Sequence, residues 1–257
     1  MTINNRVCLV PALDGFRATP HSYYGTAAVG GAAGGPAGSA SMTFFCIVYP
    51  YKTLDSTFRM FFSRSNATNA GWSLATTGGN IQAFVYNSTP AILQATSTGG
   101  WFEGEKVPYL FLASYQNGTL TFWANGLLRA TTVLGAGFTA YAGPTTLGAR
   151  SSTTGSNALG EMLSDCGFLD TYDPTTFVSA LYGNGVAGLS AMWLADLREG
   201  RYLTWPRAGV ANQDWYWAAR DVVTGTSAKF SWVDRFTAQA MTRFNFPQGA
   251  SFPARPT

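Results

Sequence analysis

The sequence predicts an all-β protein built as a two-sheet antiparallel sandwich. Ten short runs rich in β-branched and aromatic residues crowd into about 130 residues, and turn residues separate them at the spacing of a sandwich or barrel. Asn-Gly pairs at Asn117-Gly118 and Asn125-Gly126 supply the two positive φ angles that a type I′ hairpin demands. So many strands leave little room for helix.

Taken in order, residues 25–41 (GTAAVGGAAGGPAGSAS) are Gly-rich and hold no large aromatic, so they read as a loop or extended arm rather than as core. Strands are predicted at Met42 to Tyr49, Thr57 to Arg64, Gly71 to Thr76, Ile81 to Tyr86, Ile92 to Thr96 and Pro108 to Gln116, then at Thr119 to Ala124, Leu127 to Val133, Thr145 to Arg150 and Leu159 to Leu169. The run TLTFWA sets Leu120, Phe122 and Ala124 on one face and Thr119, Thr121 and Trp123 on the other, as a half-buried strand requires. Asp173-Pro174 opens a short helix, with Phe177 and Leu181 on one face and Gly183 at its end. A second helix is expected from Ser190 through Trp193, Leu194 and Leu197 to Gly200. The chain thus divides into an N-terminal arm (1–40), a β body (41–186) and an aromatic- and Arg-rich C-terminal extension (187–257).

Composition narrows the function classes. An apolar fraction of 46% with 15% aromatics excludes a disordered chain, and only 11% charged residues implies a surface made of Ser, Thr, Asn and Gly. The net charge of +3 is too small for a nucleic-acid partner. Its excess lies in the last quarter: residues 1–186 carry 8 basic and 8 acidic side chains, residues 187–257 carry 8 and 5. Cys8, Cys46 and Cys166 lack the paired spacing of a zinc site or disulfide scaffold and read as reduced and buried. The N-terminus, MTINNRVCLVPALDG, has no export segment, and no apolar run approaches the ~20 residues of a membrane span. Synthesis in a cytoplasm is therefore expected, and neither a membrane nor a nucleic acid is expected as partner. The sequons at Asn66, Asn87 and Asn117 are what a chain rich in Asn, Ser and Thr produces by chance.

The order of pieces over residues 40–186 resembles the concanavalin A-like lectin/glucanase superfamily, in its laminin-G-like form as found in bacteriophage structural proteins. The pieces are SMTFFCIVYP, MFFSRS, GWSLAT, the hairpin NGTLTFWANGLL, LGAR and ALGEMLSDCGFLDTYDPTTFVSALYGNG. Gly160, Phe168, Leu181 and Tyr182 stand where the family has a Gly-containing strand and a short helix closing in a Leu-Tyr pair. The resemblance implies a two-sheet jelly roll with a short closing helix. It implies no single activity, since this fold hosts lectins, hydrolases and structural modules.

Catalytic patterns are missing from the sequence. The Glu-x-Asp-x-x-Glu strand of the family's glucanases does not occur. Glu161 and Asp165 share a strand face about 13 Å apart, beyond either glycosidase geometry, and Glu103 and Glu105 read as loop residues. His21 has no partners clustered around it. The string GNGVAG at 183–188 follows a helix rather than a strand, so it is not a phosphate cradle. The resemblance allows calcium at the sandwich rim, but Asp55, Asp165 and Asp170 are scattered and place no site; no other cofactor is expected.

The C-terminal extension holds Trp193, Trp205, Trp215, Trp217 and Trp232, interleaved with arginines that include Arg220 and Arg235. Trp and Arg are enriched at the centres of protein interfaces, so these residues are the candidate partner surface; a second small core is the plain alternative. The expected function is a non-catalytic virion structural protein of a tailed bacteriophage, a capsid decoration or tail or fibre component. It would assemble with itself or other virion proteins through its termini and aromatic tail, and end on the virion surface. The alternative is a carbohydrate-binding, lectin-like module that meets surface glycans through Trp72, Tyr86 or Trp123.

Overall fold

The computed structural model describes residues 10–11, 23–25, 35–49, 58–66, 70–77, 80–86, 92–96, 109–124, 127–133, 135, 137–148, 162–170, 195–196, 203–204, 215–217, 231–233 and 240–244. Its strands are β1 (Val10–Pro11), β2 (Tyr23–Gly25), β3 (Ser41–Tyr49), β4 (Arg59–Ser65), β5 (Gly71–Thr77), β6 (Asn80–Tyr86), β7 (Ile92–Thr96) and β8 (Tyr109–Gln116). There follow β9 (Thr119–Ala124), β10 (Leu127–Val133), β11 (Thr146–Leu147), β12 (Met162–Leu169), β13 (Trp215–Trp217), β14 (Ser231–Val233) and β15 (Ala240–Phe244). All ten strands expected from the sequence are present, with β7, β9 and β10 at the expected limits and β11 shortened to two residues.

The strands form two antiparallel sheets. The first runs β1-β12-β3-β8-β9-β10, with β13 also on β12; the second runs β14-β15-β2-β11-β4-β5-β6-β7. From β3 the chain crosses to the second sheet for the meander β4–β7, returns for the meander β8–β10, visits the second sheet again at β11, and closes at β12 beside β3. This is the jelly-roll sandwich that the sequence implied. β1 and β2 from residues 1–40, and β13 to β15 from residues 187–257, pair into these same sheets. The expected helix from Asp173 to Gly183 lies outside the described residues. Of the second expected helix only Ala195 and Asp196 are described, and both are helical.

Period-two alternation builds the interior. Met42, Phe44, Cys46 and Val48 of β3, Phe111, Ala113 and Tyr115 of β8, and Leu120, Phe122 and Ala124 of β9 face Phe62, Trp72, Leu74, Ile81, Ala83 and Val85 of the second sheet in one buried cluster. A register shift between Met60 and Phe62 leaves Phe61 out of the ladder, so two consecutive aromatics reach the core. Trp72 sits at the centre, with ring centroids 4.6 Å from Phe62, 4.9 Å from Phe44 and 5.2 Å from Phe168. Between β8 and β9, Asn117 and Gly118 have φ of 43° and 93°, as a type I′ turn requires. The Asn125-Gly126 turn lies outside the described residues.

The last part of the Gly-rich segment is a plug rather than a free arm. Residues 35–40 lie against the core at one end of the sandwich, where the Trp72 indole N–H donates to the Pro36 carbonyl at 3.2 Å. Gly38 has φ +85°, and a Cβ there would stand 2.7 Å from the Phe138 ring and 2.9 Å from Trp72, so glycine is required both by conformation and by space. Residues 137–141 close the same end: the Tyr115 hydroxyl donates to the Gly137 carbonyl at 2.6 Å, and Thr139 bridges the Gly71 amide and the Tyr86 carbonyl. Arg64, fully buried, ties the two segments together. Its Nε donates to the Tyr141 carbonyl at 3.0 Å and its Nη1 to the Gly35 carbonyl. Burial pulls its guanidinium down to about 10, partly offset by Tyr141, so it remains charged at neutral pH.

Because Trp72 touches both sheets and anchors the plug, Trp72→Ala is expected to lower stability by about 3–5 kcal/mol. Leu128→Ala on exposed β10 should change it by less than about 0.5 kcal/mol. Urea unfolding followed by far-UV circular dichroism measures both, and equal losses would contradict the placement of Trp72.

Candidate functional site

The outer face of the first sheet is divided. Over β3 and β8 it is covered: the cross-strand pairs Phe45 with Leu112 and Ile47 with Leu110 point away from the interior, yet all four side chains are buried. Over β9 and β10 it is open. Trp123 is half-buried there, and its cross-strand partner Leu128 is 60% exposed; Thr121 pairs with Thr131, and Thr119 with Val133, which is 71% exposed. Leu127, 58% exposed, opens the strand. These three are the exposed large hydrophobic side chains among the described residues, and all lie on one strand.

β10 is the last strand of its sheet and pairs, among the described residues, with β9 alone. Natural edge strands are normally kept short, charged or kinked because they template pairing with another chain. β10 runs seven residues and carries one such device, a register shift between Leu128 and Ala130 that sets exposed Arg129 apart. The result is an amphipathic stripe: an indole, two branched aliphatics, threonine hydroxyls and one guanidinium. Such a surface can be covered by a protein partner, and an indole face can stack on the apolar face of a sugar ring. Among the described residues the stripe carries no carboxylate, imidazole, thiol or amine.

The candidates from the sequence fall in different places. Trp123 lies on the open face. Trp72 and Tyr86, taken as glycan contacts, do not: Trp72 is wholly buried between the sheets, and Tyr86 is 3% exposed in a satellite cluster with Met60, Ala75 and Phe84 on the second sheet. Alternation along a strand separates two faces but does not say which is covered, and here both faces of β5 and β6 are. Trp215 and Trp217, taken as partner contacts, are also interior. β13 pairs with β12, sets their rings 5.6 Å apart in a stack and places Trp217 5.6 Å from Phe62. The two tryptophans belong to the main interior of the sandwich rather than to a second small core. Trp232 lies in β14 opposite Met241; Trp193, Trp205, Arg220 and Arg235 lie outside the described residues. The sequence reading missed Leu127, Leu128 and Val133, whose signal was visible: three large aliphatics in a strand next to a hairpin turn, without strict alternation.

A second polar feature lies on the covered side. With Trp215 and Trp217 inward, Tyr216 points outward over Gly167, its cross-strand partner. The Tyr216 hydroxyl donates to Asp165 Oδ1 at 2.5 Å and accepts from the Leu203 amide at 2.9 Å. Nearby in sequence, Asp196 Oδ2 accepts from the amide and hydroxyl of Thr204 at 2.8 and 2.9 Å. Both carboxylates are buried; Asp165 of β12 is joined through Tyr216 to the Leu203 amide, while Asp196 and Thr204 make a local contact within the segment after residue 187. Among the acids considered for calcium, Asp165 is therefore engaged with Tyr216, Asp170 ends its strand half-buried, and Asp55 is outside the described residues. Among the described residues no three His, Cys, Asp or Glu side chains gather where they could hold a metal ion.

No protein-family model matches the sequence, and no curated protein matches it. Solved structures with a similar course of chain include a heptameric SAP-like pentraxin from Limulus polyphemus, at 14% identity and TM-score 0.47, over 73% of this chain and 86% of that one. The binding domain of botulinum neurotoxin DC in complex with SialylT is 12% identical at TM-score 0.48, over 69% of this chain and 46% of that one. The enzymatically active domain of bacteriophage CBA120 tailspike protein 2 is 14% identical at TM-score 0.44, over 61% of this chain and 26% of that one. At these identities and scores no ligand or activity passes from them to this chain.

The buried Tyr216 hydroxyl makes a direct prediction. Tyr216→Phe keeps the ring but leaves Asp165 Oδ1 and the Leu203 amide without this partner, and should cost about 1–3 kcal/mol. Urea unfolding reads the loss, and proteolysis should turn faster in the chain around Leu203; an unchanged midpoint would show that the hydroxyl is dispensable.

Proposed function

We propose that this chain is a non-catalytic assembly module, a virion structural protein of a tailed bacteriophage serving as a capsid decoration or a tail or fibre component. Its contact surface is the β9–β10 edge rather than the buried aromatics of β13. The observation that carries the reading is the confinement of the exposed large hydrophobics, among the described residues, to the terminal strand of the first sheet. Exposed large apolar side chains gathered on one open strand edge mark a candidate interaction surface. The resemblance to phage members of the superfamily and a skin with few charges support the same reading, as do Asp165 and Asp196, which are spent on structural hydrogen bonds.

The second reading is a lectin-like module, and Trp123 supports it: half-buried, on an open face, flanked by Thr121 and Thr131. A surface glycan would then be the partner, with Trp123 as the stacking platform.

The double variant Leu128→Asp, Val133→Asp separates the readings. For an assembly module it should fold normally and lose at least about tenfold in association with itself or with virion components, since each burial is worth about 1.5–3 kcal/mol. Light scattering and co-sedimentation with phage particles measure this. Wild-type protein that stays monomeric at high concentration and sediments with no capsid or tail component sinks the assembly reading. A glycan-array signal abolished by Trp123→Ala, with the fold intact, would establish the second.

A further inference from the structure

Cys46 of β3 and Cys166 of β12 are directly opposite each other in the antiparallel ladder of the first sheet. Both side chains belong to the same interior cluster and both are fully buried and free. Opposed residues in such a ladder have Cα atoms about 4.5–5.5 Å apart, within the roughly 4.4–6.8 Å that a disulfide spans. Side chains of opposed residues leave the sheet on the same side, so the two Cβ atoms lie near the separation that a disulfide bridges. The spacing in the sequence gave no hint of this, because about 120 residues separate them.

We propose that Cys46 and Cys166 form a latent cross-strand dithiol, a modification site that closes to a disulfide only while the β3–β12 seam is open. The oxidant class is a low-molecular-weight disulfide. The Cys46 thiolate attacks one of its sulfurs and expels one small thiol, giving a mixed disulfide. The Cys166 thiolate then attacks the Cys46 sulfur and releases the second small thiol. Two protein S–H bonds and the reagent's S–S bond are lost, one protein S–S bond and two small-molecule S–H bonds are gained, and two electrons pass to the reagent.

In the folded chain this reaction is blocked twice. The sulfurs are out of reach of solvent, with Trp217 of β13 paired beside Cys166 on the side away from Cys46. Burial also pushes both thiols well above their ordinary range, and Cys46 and Asp165 push Cys166 further, so the nucleophilic thiolate is scarce. The pair is therefore a record of the redox conditions under which the sandwich closed. Oxidised, it would lock β3 to β12, the strand that carries β13, across a loop long enough for a large effect on the unfolded chain.

The test uses the full chain. It is refolded from urea with oxidised glutathione and, in parallel, incubated in the native state with the same reagent. The refolded sample should lose two hydrogens in mass, give a peptide joining Cys46 to Cys166, and melt roughly 5–10 °C higher than the reduced protein. In the native sample Cys46 and Cys166 should stay reduced until the sandwich unfolds globally. Cys8→Ser should behave as the wild type, and Cys166→Ser should form no internal bond. The proposal is overturned if refolding leaves both thiols free, if the bond formed runs through Cys8, or if native Cys46 and Cys166 react as fast as in the unfolded chain.

Discussion

The structure depends on an aromatic interlock between two sheets. Trp72 of β5 reaches Phe44 and Phe168 of the opposite sheet and Phe62 of its own, and Phe62 continues the contact to Trp217. Dispersion and the removal of large ring surfaces from water supply the attraction. Between the sheets the rings meet tilted for Trp72 with Phe44 and Phe168, at 38° and 35°, and edge-on for Phe62 with Trp217, at 76°. Each of the five rings comes from a different strand, β3, β4, β5, β12 or β13, so the cluster can form only when distant parts of the chain have met. The bulge at Phe61 adds a second stack, with Phe111 at 5.7 Å.

Once that interior exists, its open end has to be closed, and the closure decides what the flanking sequence does. The plug at 35–40 and the segment 137–141 bring backbone carbonyls to a place without water, and the Trp72 indole, the Tyr115 hydroxyl and the Arg64 guanidinium donate to them. A buried cation is costly unless its N–H groups are used. Here the forked guanidinium reaches two chain segments at once, which a lysine could not do in the same geometry. The Gly-rich composition that argues against core-forming side chains is thus what lets the backbone itself lie on the core.

The same logic separates covered from open surface. The outer face over β3 and β8 buries Phe45, Leu112, Ile47 and Leu110 beside the hydrogen-bonded Thr43 and Ser114; over β9 and β10 it changes to threonines, a half-buried indole and exposed aliphatics. Function on a fold of this kind resides in such surfaces, because the sandwich itself specifies none. The Tyr216–Asp165 contact, extended by the Leu203 amide on the same hydroxyl, shows how the chain's later residues are held to the sheet without apolar packing alone.

The sequence by itself determined the strands and their order of pairing wherever neighbours in the chain are neighbours in space. Period-two runs with Asn117-Gly118 between them specify the β8–β9 hairpin, since alternation and a turn with two positive φ angles are local properties. It could not say that Trp72 and Tyr86 lie beneath other chain while Trp123 does not, for all three occupy similar strands and differ only in what the fold lays over them. Nor could it say that Trp215 and Trp217 fill the core, or that Cys46 faces Cys166. Those facts come from strand pairings far apart in the chain, and only the tertiary structure, by bringing such segments together, decides which face is inside and which is left for a partner.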